Sequence, residues 1–194
     1  MIMKPLSDDS HGVLDARIEM AKSHEPPRIQ GTCVALALER DGPLYGLMVL
    51  GPSGIGKSSL AMALIENCPF QQTALIGDDM VALSSEGADK NTLYAKGLAP
   101  IEGLIEVRGF GPAKTRHVPL APIGLALALS DQAGERIKTV ENWVPEFANN
   151  DADWRAPTVP TIALVRYCVA NFAWCDHAFR VRTIFRSVLS GQSG

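Results

Sequence analysis

Eight consecutive residues, Gly51-Pro52-Ser53-Gly54-Ile55-Gly56-Lys57-Ser58, satisfy the spacing G-x-x-x-x-G-K-[ST] of a phosphate-binding loop. Each constrained position has a physical task. The glycines let the backbone take positive φ and turn successive N–H groups toward phosphate oxygens. Lys57 supplies a point charge for the outer phosphates, and Ser58 offers a hydroxyl to a divalent cation. A second chemical group lies about twenty residues later, where Asp78 and Asp79 form a carboxylate pair. One carboxylate of such a pair can hold a metal ion or its water shell while the other takes a proton from an attacking hydroxyl. Gly77-Asp78-Asp79 is also good turn chemistry, and a capping or turn role remains open for the pair. A third group is Glu106 and Arg108 in Ile105-Glu106-Val107-Arg108-Gly109-Phe110-Gly111-Pro112. In an extended segment both side chains share one side, either as site residues or as a surface ion pair.

These groups need elements to carry them. Leu47-Met48-Val49-Leu50 enters the loop as a buried strand would, and Ser59 to Glu66 leaves it with good helix formers, adding a helix N-terminus to the loop amides. Before that strand, Thr32 to Leu38 is a second apolar run, joined to Leu44–Leu50 through Glu39-Arg40-Asp41-Gly42-Pro43. So short a connection forces an antiparallel pair, because a parallel return needs a crossover. A mixed sheet is therefore expected rather than an all-parallel one. Thr73-Ala74-Leu75-Ile76 reads as the next strand, with Asp78 and Asp79 at the carboxyl end, where open α/β sheets bind ligands. Met80 to Leu83, Leu93-Tyr94-Ala95 and Ile123 to Leu129 read as further extended segments. Residues 84–89 read as a turn-rich loop and 142–160, with Trp143, Trp154 and three prolines, as irregular surface structure. A helix is expected from about Ile162 to Leu189, broken near Trp174 to His177, and a short helix over Ala16 to Ala21. Arg180, Arg182 and Arg186 lie near one face of the late helix, as a solvated face or a docking surface for an acidic partner.

The chain has 194 residues and a formal net charge of −3, which fits one α/β domain with a substantial core. Residues 1–28 read as an N-terminal extension and 29–194 as the catalytic domain. No basic block suggests nucleic acid, and no apolar stretch approaches the ~18 residues of a membrane span. Cys33, Cys68, Cys168 and Cys175 lack C-x-x-C spacing, and Cys168, Cys175 and His177 match no standard zinc pattern. Reduced thiols and a cytoplasmic location are expected.

Taken together, the loop Gly51 to Ser58, the strand end Leu75-Ile76-Gly77-Asp78-Asp79 and the run Ile105 to Gly111 resemble the HPr kinase/phosphorylase family, over roughly Ile29 to Leu189. The resemblance implies a P-loop kinase domain with a mixed sheet, related to phosphoenolpyruvate carboxykinase, in a short form that holds the catalytic domain alone. It implies ATP and Mg²⁺ as cofactors, with Gly51, Pro52, Ser53, Gly54, Ile55, Gly56, Lys57, Ser58 and Ser59 around the ATP phosphates and Ser58 with Glu106 on the metal. Asp79 would deprotonate a serine of the phosphocarrier protein HPr of the sugar phosphotransferase system, Asp78 would support Lys57 and the metal, and Arg136 aligns with a catalytic arginine. HPr is the implied partner, a homo-oligomer is implied, and neither nucleic acid nor membrane is expected.

Two departures stand out. Gln30 occupies the place of a family histidine, and the arginine-rich Pro-Gly loop tied to dephosphorylation has no clear counterpart around Val165-Arg166-Tyr167-Cys168. Kinase activity is thus expected ahead of phosphorolysis. The alternatives are a small-molecule P-loop kinase of the shikimate or gluconate type and a nucleotide-sensing regulatory module with little catalysis.

Overall fold

The computed structural model describes residues 26–84, 92–132, 140–143, 145, 162–169 and 173–191. The expected short helix over 16–21, the loop over 85–89 and Arg136 lie outside the described residues.

The two apolar runs form β2 (Thr32–Ala37) and β3 (Leu44–Leu50), antiparallel and in register from Thr32 opposite Val49 to Ala37 opposite Leu44. The short connection between them dictates that pairing, as expected. β3 runs directly into the glycine-rich loop and then α1 (Lys57–Glu66). β4 (Ala74–Gly77) pairs antiparallel with the other edge of β2, so β3 and β4 point the same way with β2 between them. On its far side β3 pairs in parallel with β9 (Leu120–Ser130). The glycine-rich loop and Asp78 thus leave the same edge of the sheet, and Thr32 enters β2 at that edge.

The sheet continues past β9 with β6 (Tyr94–Lys96), β5 (Met80–Ser84) and β1 (Arg28–Gln30), all antiparallel to their neighbours. The second half of β9 instead pairs in parallel with β11 (Ile162–Cys168), which carries β10 (Glu141–Trp143). A separate hairpin of β7 (Leu104–Val107) and β8 (Gly111–Lys114) stands beside the loop. The architecture is a mixed, curled α/β sheet.

Strand alternation divides the core into two layers. Val34, Leu36, Leu47, Val49, Leu125 and Leu127 face α1 and the last helix, α2 (Trp174–Leu189). Cys33, Ala35, Met48 and Ala126 face the opposite way, toward Ile29, Val81, Leu83 and Ala95 of the curled-over strands. β2 is buried along its whole length, as a strand covered on both faces must be.

Two expectations of secondary structure are corrected. Residues 162–168 are a strand, not the start of a helix. Ile162 and Leu164 are buried on one side, and the parallel edge of β9 satisfies the backbone of the seven-residue run. Glu141–Trp143 is also a strand, with Trp143 buried, rather than irregular surface structure.

α2 buries His177, Ala178, Val181, Arg182 and Phe185, a stripe at helical spacing. Arg182 lies on that stripe and is 8% exposed. Its guanidinium donates to Ala37 O at 2.9 Å, Leu64 O at 2.6 Å and Thr73 Oγ1 at 2.9 Å. It thereby ties α2 to the ends of β2 and α1 and to the approach to β4. The docking role considered for Arg182 is therefore corrected: its charge is spent inside the fold, while Arg180 and Arg186 are exposed.

Thr73 Oγ1 in turn donates to Cys68 Sγ at 3.1 Å. Burial pushes the Cys68 thiol up, but hydrogen bonds from the Thr73 hydroxyl and from the backbone of Thr73, Gln72 and Phe70 outweigh it and bring it down to about 6. Burial lowers the Arg182 guanidinium from its ordinary range, with the Cys68 sulfur acting in the opposite sense.

Candidate active site

The loop takes its shape from glycine. Gly51, Gly54 and Gly56 have φ of 140°, 80° and 103°, conformations that a side chain would strain. Gly56 is also the N-cap of α1, so the loop ends where the helix amides begin. Lys57 Nζ folds back onto the loop, donating to Gly51 O at 2.9 Å and Pro52 O at 3.0 Å.

Asp78 is the hub of the site. It is 8% exposed and accepts three hydrogen bonds from three different elements. Thr32 Oγ1 donates to Oδ1 at 2.7 Å, Ser58 Oγ donates to the same oxygen at 2.9 Å, and the Glu106 N–H donates to Oδ2 at 3.1 Å. One buried carboxylate therefore fixes the loop serine, the start of β2 and the hairpin strand β7 relative to one another. The family resemblance implies that Asp78 supports both Lys57 and the metal side. Its hydrogen bonds run to Ser58, while Lys57 turns to the loop carbonyls.

Asp79, next in sequence, is exposed and has φ of 70°, a left-handed conformation uncommon outside glycine. The turn is held by the Met80 N–H donating to Asp78 O and by the Gly31 N–H donating to Asp79 O, both at 2.9 Å. Gln30 is exposed at the end of β1, directly before this Gly31 contact.

A cavity of about 570 Å³ opens between loop, strand end and hairpin. Lys57, Ser58, Asp78, Asp79, Glu106 and Arg108 all line it. The structure thus brings together three groups that the sequence holds far apart. Arg108 Nη2 would lie 3.4 Å from a Cβ at Gly54, so the guanidinium hangs over the loop. Several wall residues carry no motif that marks them, Thr32 and Trp174 among them. Thr32 is a polar residue opening an apolar strand, its one visible signal; Trp174 gives none.

Cys168 and Cys175 do not belong to this cavity, and His177 is fully buried, its Nδ1 2.9 Å from the Tyr167 hydroxyl.

Loop, strand end and hairpin define an α/β protein of mixed sheet whose phosphate-loop sequence opens into a carboxylate-lined cavity. Residues 42–118 match the family model described as HPr Serine kinase C-terminal domain. The HPr kinase/phosphorylase of Lactiplantibacillus plantarum is 32% identical over 105 residues, which are 53% of this chain and 30% of that protein. That of Prosthecochloris aestuarii is 36% identical over 73 residues, 38% of this chain and 20% of the relative. The chain therefore matches less than a third of the length of these curated relatives. Among solved structures, the Hpr(Ser) kinase/phosphatase from Coxiella burnetii shares the fold, with a TM-score of 0.63 at 15% identity over 86% of this chain and 99% of that one. The comparisons agree with the resemblance read from the three motifs: the segment that carries them is similar to the C-terminal domain of HPr kinase/phosphorylases. No helix among the described residues is long and apolar enough to cross a membrane.

Proposed function

We propose that the chain is an ATP-dependent protein-serine kinase acting on HPr, built on a P-loop domain of the phosphoenolpyruvate carboxykinase type. The observation that supports this most is the shared hub: Asp78 ties Ser58 and the Glu106 backbone together in the cavity that Asp79 also lines. In this reading the amides of Gly51 to Ser59 and the Lys57 ammonium hold the β- and γ-phosphates. Asp79 accepts the proton of the acceptor serine as its oxygen bonds to the γ-phosphorus, and the bond to the bridging oxygen of ADP breaks. Arg108, and Arg136 as the second cation, balance charge on the transferred group.

The donor set fits Mg²⁺. Among the described residues no group of three or more His, Cys, Asp and Glu could cage a metal alone. Mg²⁺ does not need one, being held by one or two carboxylates together with substrate phosphates. Ser58 and Glu106 would hold it, and it would neutralise charge between the outer phosphates. Ser58 is prepared for this, because its proton is committed to Asp78 and none of the described residues donates to its lone pairs.

The test is phosphotransfer from labelled ATP to purified HPr with Mg²⁺. Label on a serine, lost in Asp79→Asn, is the expected result. Full transfer by Asp79→Asn would remove the base. A second reading, a nucleotide-sensing module, is favoured by the neutral Gln30 beside the Gly31–Asp79 contact. Nucleotide binding without transfer would select it.

A further inference from the structure

The start of α2 supplies part of the cavity wall that none of the motifs accounts for. Trp174 is the first residue of that helix, and its six-membered ring edge rests on Gly56 so closely that a Cβ there would collide with Cη2 and Cζ2. The indole is braced from its own helix. The His177 ring lies 5.3 Å from it, centroid to centroid, and His177 is fully buried and bonded to Tyr167. Trp174 itself is only half-buried and faces the cavity. Met62 lines the same cavity one helical turn beyond Ser58.

A ligand whose phosphates sit on the loop must send its remaining bulk out past the loop's ends. At the end where α1 begins, that bulk meets a rigid aromatic surface, with the Met62 thioether lining the same cavity. Ile101, Leu104, Ile105 and Pro112 also give the cavity apolar wall, but Trp174 is the one aromatic ring among the described lining residues, so this corner alone offers a flat π-face. Such a surface suits a purine ring, since stacking needs only a π-face, and a methionine sulfur contributes favourable aromatic contact. We infer that Trp174 is the nucleobase platform of the site, with the base of the bound nucleotide stacked on the indole next to Met62. This rests on the nucleotide reading proposed above.

The test compares ATP with inorganic tripolyphosphate, both with Mg²⁺, by titration calorimetry on the full chain. Tripolyphosphate reports the loop alone, and the ratio of the two affinities reports the base. With base stacking of ordinary strength, ATP binds about tenfold or more tighter than tripolyphosphate. Trp174→Leu is expected to erase that ratio while keeping tripolyphosphate affinity, and Trp174→Phe to keep most of it. Lys57→Ala should weaken both ligands together. A second readout needs no variant: ATP, but not tripolyphosphate, quenches tryptophan emission. An unchanged ratio in Trp174→Leu, or parallel loss of both ligands, overturns the platform and leaves the loop reading standing. Failure of the unaltered chain to bind either ligand, or binding indifferent to Lys57→Ala, overturns the loop reading and the platform with it.

Discussion

Replacing Asp78 with asparagine keeps the side chain's shape but exchanges one acceptor oxygen for a donor, and the three contacts of Asp78 set the consequences. The Glu106 N–H can only donate, so the asparagine oxygen must turn to it. Its NH₂ then faces the hydroxyls of Thr32 and Ser58, which rotate to accept. All three partners are satisfied, but hydrogen bonds to a charged acceptor become neutral ones, a loss of about 1–3 kcal/mol in all. The larger effect is at Ser58. In the native site its proton points to Asp78 and its lone pairs are free for a cation; in Asp78→Asn the proton points outward instead. Removing a partner that orients a metal ligand costs about 10–100-fold in affinity, and a reversed hydroxyl should fall within that range. The assay is a Mg²⁺ titration of ATP binding on Asp78→Asn, beside urea unfolding of Asp78→Asn and Asp78→Ala. Asp78→Ala orphans all three donors and should lose about 2–5 kcal/mol. Wild-type Mg²⁺ dependence in Asp78→Asn would refute the role assigned to the Ser58 lone pairs. Equal instability of the two variants would refute the hydroxyl reversal.

Arg182→Met takes the guanidinium from Ala37 O, Leu64 O and Thr73 Oγ1, the last of which keeps the Ala37 N–H, and should cost about 3–5 kcal/mol in urea unfolding, a loss below about 1 kcal/mol being incompatible with the buried anchor. Cys68 is held at about 6 against an ordinary 9.0, so its contribution is complete above pH 9 and is lost as pH falls through 6. The Tm difference between wild type and Cys68→Ala should therefore be largest near pH 9 and close toward pH 6; a pH-independent difference would refute the thiolate. Gly56→Ala strains a residue at φ of 103° and drives Cβ into Trp174, so both stability and ATP affinity should fall. Wild-type melting by circular dichroism would count against that contact.

The parts of the fold that are legible in the sequence are those fixed by local rules. The Asp-Gly connection forces β2 against β3, and the apolar runs before Gly51 and Asp78 mark β3 and β4. The glycine spacing marks the loop itself. β11 reads wrongly as helix because Ile162 to Cys168 is a short apolar run, which periodicity alone does not separate from a buried helix turn. Its identity comes from the edge of β9, a neighbour distant in the chain. Arg182 misleads for a related reason. Arginines four apart on a helix suggest a wet face, and only the carbonyls of Ala37 and Leu64, 145 and 118 residues away, reverse that. In the site, Asp78, Asp79, Ser58 and Glu106 announce themselves by type and spacing. Thr32 and Trp174 do not, since a threonine opening a strand and a tryptophan opening a helix acquire meaning only from what lies across the cavity.

Arg182 also bears on how the chain comes together in time. The loop, the carboxylates and the hairpin all precede residue 118, and β3 and β4 can pair with β2 as soon as they are made. Yet the guanidinium that bonds the carbonyls at the tails of β2 and α1 comes from the last helix, and β11 is needed to cover the second half of β9. Folding during synthesis, which proceeds from the N-terminal side, therefore leaves the loop-bearing edge assembled on an unsealed sheet until the final helix emerges. The loop and its carboxylates are encoded early, and the latch that makes their arrangement durable arrives late.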